Sequence, residues 1–140
     1  MDARFPRNEL IRRVEAIAAS RERMTVTNLD AELFIRSYVR KLPRRTLVHC
    51  DPPYYRHSNR LYLNYYKPDD HVGLAKTIQE HLKRPWLVSY DNVPEIRKFY
   101  AKRRCIFCKV RYNAARAYMG TEVFFVSDHP SCPTTLPGRG

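Results

Sequence analysis

A chain of 140 residues is long enough to bury a core in one domain and short for a complete enzyme that also binds a large cofactor. Its 26 Lys and Arg against 14 Asp and Glu give +12 at pH 7, a balance that points to a polyanionic partner, DNA or RNA first. No apolar run approaches the ~18–20 residues of a membrane span and the N-terminus has no signal-peptide core, so no membrane partner and a cytoplasmic setting are expected.

In chain order, Leu10, Val14 and Ile17 recur at helical spacing opposite Arg12, Arg13 and Glu15, predicting an amphipathic first helix with Asn8 as its cap. Met24–Thr27 is a short β-prone run. Asp30 then suits the N-cap of a second helix over Ala31–Val39, with Leu29 and Phe34 spaced as a hydrophobic staple. Pro43 ends that helix, and the apolar stretch Thr46–Cys50 predicts a strand. Strand, helix and strand in succession give the rhythm of a parallel sheet.

Residues 54–67 interleave Tyr54, Tyr55, Tyr62, Tyr65 and Tyr66 with Arg56, His57, Asn59, Arg60 and Lys67 without a sustained period, which reads as a loop. Such a loop either stacks on bases while holding phosphates or packs on itself. Asp69 or Asp70 is expected to cap a third helix whose stripe is Leu74, Ile78 and Leu82. Pro85 closes it. Trp86–Tyr90 is a second apolar strand, followed by Asp91 and Asn92 and a helix from Pro94 to Tyr100; the two polar residues suit its cap. Arg104–Arg111 and Glu122–Val126 read as an antiparallel pair at the sheet's end, joined by a loop containing Asn113, Tyr118 and Gly120. The domain is expected to span 1–130, with 131–140 a disordered tail rich in Pro, Gly, Ser and Thr.

Cys50, Cys105, Cys108 and Cys132 read as reduced thiols. Cys105-x-x-Cys108 with His129-x-x-Cys132 has zinc-like residue types, but Cys105–Val110 is strand-like, and positions three apart on a strand face opposite sides. No metal is expected.

The densest chemistry is Asp51-Pro52-Pro53-Tyr54, placed where the 46–50 strand ends. Two prolines fix φ near −65° and remove two N–H donors, so the Pro52 carbonyl is held in one direction. A carboxylate beside that carbonyl can accept both hydrogens of one NH₂ group, and Tyr54 offers a face for a heterocycle. Ligands of open α/β sheets lie beyond the carboxyl ends of strands, where this segment falls. The bland counterpart is a Pro-Pro turn with Tyr54 and Tyr55 packed on the core.

With its flanks Leu47–Tyr55, Leu61–Tyr66, Asp69–Leu74, Trp86–Ile96 and Gly120–Phe125, the chain resembles the C-terminal half of Dam-like DNA adenine methyltransferases. The resemblance implies an α/β fold, a partial S-adenosylmethionine-dependent methyltransferase sheet of Rossmann-like type with flanking helices. It implies DNA as partner and extrusion of the target adenine from the duplex. Asp51 and the Pro52 carbonyl would bind the amine, Asp51 would also touch the cofactor S-adenosylmethionine, and Pro53 would complete the catalytic segment. Tyr54, with Tyr55, would stand on the substrate side. No nucleophile or metal is required, so His49, His57, His71 and His81 read as structural or surface residues.

The departure from that family is the glycine-rich cofactor loop, which the chain lacks: no glycine precedes Gly73, and Gly120, Gly138 and Gly140 do not form one. Three explanations remain open, namely a fragment of a longer enzyme, one part of a split enzyme whose cofactor half is a separate polypeptide, and a remnant that no longer catalyses. Two other classes stand beside them, a non-catalytic nucleic-acid-binding module and a methyltransferase acting on another planar amine or amide in RNA or protein. Asp rather than Asn at the head of the motif favours adenine in DNA.

Overall fold

The computed structural model describes residues 6–56, 66–113 and 117–132. Its elements are α1 (Arg7–Ala18), a 3₁₀ turn (Arg21–Arg23), α2 (Ala31–Ser37) continued by a 3₁₀ turn (Val39–Lys41), β1 (Val48–Cys50), α3 (Pro68–His81), β2 (Trp86–Asp91), α4 (Pro94–Phe99), β3 (Arg104–Asn113) and β4 (Ala117–Val126). The strands form one mixed sheet in the order β1-β2-β4-β3. β1 runs parallel to β2, with Cys50 opposite Val88, and β4 is antiparallel to both β2 and β3. The expected α/β class is therefore present. Among the described residues no helix is long and apolar enough to cross a membrane.

The core lies where the helical stripes meet one face of the sheet. Trp86, Val88 and Tyr90 alternate along β2, Val123 and Phe125 face the same way from β4, and Leu74 and Ile78 of α3, Ile96 of α4 and Ile35 of α2 close on them. Period 2 on the strands and 3.6 on the helices put these residues on one side each. Tyr100 stacks on Phe125 with ring centroids 4.6 Å apart and meets Trp86 and Tyr90 at its edges.

Local chemistry sets the element ends. Asp30 accepts from the Glu32 and Leu33 N–H groups at 3.0 and 3.1 Å, as the sequence predicts for the α2 cap. Asp30→Ala is expected to cost about 1 kcal/mol, checked by urea denaturation. Neither aspartate occupies the N-cap position of α3, though Asp70 caps the helix from within. Lys67 is its N-cap residue, and Asp70, inside the first turn, reaches back to accept the Lys67 N–H at 2.7 Å. At Gly73 helices α2 and α3 approach closely: a Cβ there would sit 2.7 Å from Glu32 Oε1. Thr77 of α3 donates to Glu32 and receives Arg36 Nη2 at 2.9 Å, tying the two helices together. Arg84 donates to the carbonyls of Arg40, Leu42 and Pro43, covering the groups that the end of the α2 region leaves without helical partners.

Several expectations change. Met24–Thr27 is not a strand; Met24 and Val26 are exposed and the run pairs with nothing in the sheet, so the strand-helix-strand succession begins only at β1. α1 forms, but its cap residue is Pro6 rather than Asn8, and Leu10, Val14 and Ile17 are exposed. α2 stops at Ser37, and Val39 lies in the following tighter turn. Asn113, Tyr118 and Gly120, expected in a loop, lie in β3 and β4, because the ladder continues through Val110 opposite Gly120 to Asn113 opposite Ala117. Cys132, expected in the tail, is buried, with its sulfur 3.0 Å from Ser127 Oγ. The remaining tail and most of the 54–67 loop lie outside the described residues.

Candidate active site

Asp51 directly follows β1, and the parallel register sets it beside Ser89 of β2. Ser89 is buried and donates its hydroxyl hydrogen to Asp51 Oδ1 at 2.5 Å. His49 Nε2 lies 3.1 Å from the Ser89 hydroxyl oxygen. A hydroxyl has one hydrogen, so with that hydrogen on Asp51 the imidazole must donate through Nε2–H. Ser89 is thus a bridge that orients a carboxylate, and His49 does not act on it as a base.

The rest of the motif is fixed from β2 and β4. Tyr54 donates its hydroxyl to Glu122 Oε1 at 2.7 Å. Asp91 accepts the Tyr55 and Arg56 backbone N–H groups at 2.8 and 3.0 Å, holding the chain that leaves the motif with charge-assisted hydrogen bonds. The sequence suggested Asp91 or Asn92 as the cap of α4. Instead Val93 is the cap residue, with no side-chain cap, and Asp91 serves the motif. The Tyr55 ring turns inward against His71 and Phe99, at 5.1 and 6.4 Å between centroids, so it packs at the edge of the core.

Asp51, Pro52 and Pro53 form one rim of an apolar pocket of about 290 Å³, whose walls include Phe34, Cys50 and Tyr66. Its size and lining suit a flat organic group entering with few polar contacts. Burial pushes the Cys50 thiol up to about 12, which keeps it protonated and unreactive at neutral pH. Cys105 and Cys108 lie along β3 while Cys132 packs under Trp86, and no group of three or more candidate ligands for a metal ion occurs among the described residues.

Beneath the motif, His71 is buried among Tyr55, Tyr66 and Tyr90, with Nδ1 3.0 Å from the Tyr90 hydroxyl and Nε2 without a hydrogen-bond partner among the described residues. Burial lowers its pKa below 6.5, against a weaker opposite pull from the Asp91 and Asp70 carboxylates. The unfolded chain therefore binds this proton at a higher pH than the folded one. Stability contributed by neutral His71 is complete above about pH 6.5 and is lost as pH falls from there toward the lower folded value. Thermal melts at pH 7.5 and 5.5 are expected to show this loss, reduced in His71→Gln.

Sequence reasoning placed Asp51, Pro52, Pro53 and Tyr54 where the 46–50 strand ends, and the structure brings Ser89 and Asp91, from the end of the neighbouring strand, to the same edge. It missed Glu122, which lies 68 residues from Tyr54 in sequence. For Asp91 it favoured the α4 cap over a place at the motif, and it gave His49 no part; the available signal was that both sit at strand ends bordering the motif. In comparisons with known proteins, no family model matches the chain and no curated protein matches it.

Proposed function

We propose that this chain carries the acceptor-side half of a Dam-like, S-adenosylmethionine-dependent DNA adenine methyltransferase, whose cofactor cradle is supplied from outside this sequence. The supporting observation is Asp51 itself, held by Ser89 at the carboxyl end of a parallel strand, beside a pocket and one hydrogen-bonded tyrosine away from the sheet's long hairpin.

The described residues do not form a donor cradle. Gly73, the first glycine of the chain, sits inside α3, where its lack of a side chain admits Glu32 rather than a ligand. What the chain supplies is the grip on the amine. Adenine's amino lone pair is delocalised into the ring, which makes the nitrogen a poor nucleophile. Asp51 and the Pro52 carbonyl, each accepting one amine hydrogen, favour a pyramidal nitrogen whose lone pair is available. As positive charge grows on that nitrogen, a carboxylate already oriented by Ser89 stabilises it more than it stabilises the neutral amine. Tyr54, tethered through its hydroxyl, presents its ring to an extruded base.

The test uses a DNA duplex carrying 2-aminopurine, whose fluorescence rises when it leaves the stack. Adding the chain is expected to raise the signal, and Tyr54→Ala to abolish the rise without loss of fold. Wild-type protein that binds the duplex with no change in fluorescence would sink the acceptor-site assignment.

A further inference from the structure

The β3–β4 hairpin outruns the sheet. β2 ends at Asp91, opposite Glu122, yet five further pairs, from Lys109 opposite Thr121 to Asn113 opposite Ala117, continue as a two-stranded ribbon. The ribbon leaves the sheet on the carboxyl edge of β2, the edge that holds Asp51. Its root is Glu122, the residue that receives the Tyr54 hydroxyl.

Its charge is one-sided. Arg104–Thr121 contains Arg104, Lys109, Arg111 and Arg116 and no acidic residue. Residues directly opposite in an antiparallel pair point to the same face, as do residues two apart on one strand. Phe107, Lys109, Arg111, Met119 and Thr121 therefore share a face, and all five are exposed, Phe107 by 53% and Met119 by 62%. A cationic strip with two uncovered apolar side chains has little reason to face water alone.

We infer that this ribbon is a duplex-DNA-binding element that enters the major groove next to the acceptor site. This rests on the acceptor-site reading for its neighbour, though not for its own chemistry. The B-form major groove is wide enough for a two-stranded ribbon, and the apolar side chains suit thymine methyl groups there. Lys109 and Arg111 pair with phosphates, which fixes the register of the duplex against the site. Tyr54 at the ribbon's root then lies where a base leaving that duplex arrives.

The experiment is fluorescence anisotropy of the full chain with a short mixed-sequence DNA duplex, titrated between about 50 and 200 mM salt. Lys109→Ala with Arg111→Ala is expected to weaken binding by roughly tenfold and to flatten the log–log salt slope by about 2. Lys76→Ala with Lys83→Ala, the same charge removed from exposed positions on and after α3, is expected to change affinity by less than about twofold. An RNA duplex of the same sequence should bind at least about tenfold more weakly, because the A-form major groove is too narrow for the ribbon. Arg111→Gln, which keeps most of the side chain, serves as a second variant and should give about half the slope change.

Equal losses from the two double variants, an unchanged ribbon variant, absence of DNA binding, or equal RNA binding would each overturn the inference. The two proposals fail separately. Ribbon-dependent binding without a 2-aminopurine signal removes the acceptor site alone, whereas base extrusion that survives the ribbon substitutions at full affinity removes the ribbon alone.

Discussion

Replacing Asp51 by Ala is expected to reduce methyl transfer to duplex adenine by about 10³-fold or more, measured with tritiated S-adenosylmethionine and the cofactor-binding polypeptide supplied in trans. Removal of one preplaced group that meets charge developing in a transition state costs about 10²–10³ in rate, and Asp51 combines that task with holding an amine hydrogen. Asp51→Asn separates the two. The amide oxygen still accepts a hydrogen bond but carries no charge, so an intermediate loss of roughly 10- to 100-fold is expected. Ser89→Ala leaves the carboxylate in place and removes the hydrogen bond that aims it. Its loss should be about tenfold, carried by the rate rather than by DNA affinity. Full activity in Asp51→Ala would remove the carboxylate from the chemistry.

Tyr100→Ala is expected to destabilise the fold by about 3–5 kcal/mol, enough to unfold much of a domain whose total stability is of order 5–15 kcal/mol. The ring is buried to within 1% of its surface, stacks on Phe125, and joins α4 to β2 and β4. Truncation empties the centre of the core. Tyr100→Phe should behave in the opposite way. The Tyr100 hydroxyl is buried without a hydrogen-bond partner among the described residues, so removing it relieves an unpaired polar group. Urea denaturation is expected to show the Phe variant equal to or more stable than the parent, and a clear loss for Tyr100→Phe would mean the hydroxyl is satisfied after all.

The parts of the fold legible in the sequence are those with strong periods. Leu74, Ile78 and Leu82 mark the buried side of α3, and Trp86 to Tyr90 mark a strand covered by helices, because burial on one face leaves a repeating apolar trace. Met24–Thr27 misled for the converse reason: β-prone residues form a strand only where a neighbour accepts their hydrogen bonds, and propensity does not encode the neighbour. The same holds for α1, whose apolar stripe exists in sequence but is covered by none of the described residues. At the site, Asp51-Pro52-Pro53-Tyr54 was visible because its chemistry is contiguous. Glu122 was not, since its pairing with Tyr54 depends on β4 lying beside β2, a matter of topology. Asp91 had two plausible tasks, capping α4 or receiving backbone N–H groups of the motif, and only the path of the chain between Tyr54 and Arg56 distinguishes them.

The two outer strands of the sheet also bear on how the protein behaves in concentrated solution. An outer strand offers unpaired backbone groups to any other chain, and the risk of self-association grows with its length and flatness. β1 is three residues long and presents little template. β3 is ten residues long and would be the hazard, but Arg104, Lys109 and Arg111 stand along it, and two copies meeting edge to edge would bring those cations together. The positive charges on β3 therefore act as gatekeepers against aggregation whether or not a polyanion is present, and neutralising them should lower the concentration at which the chain stays monomeric.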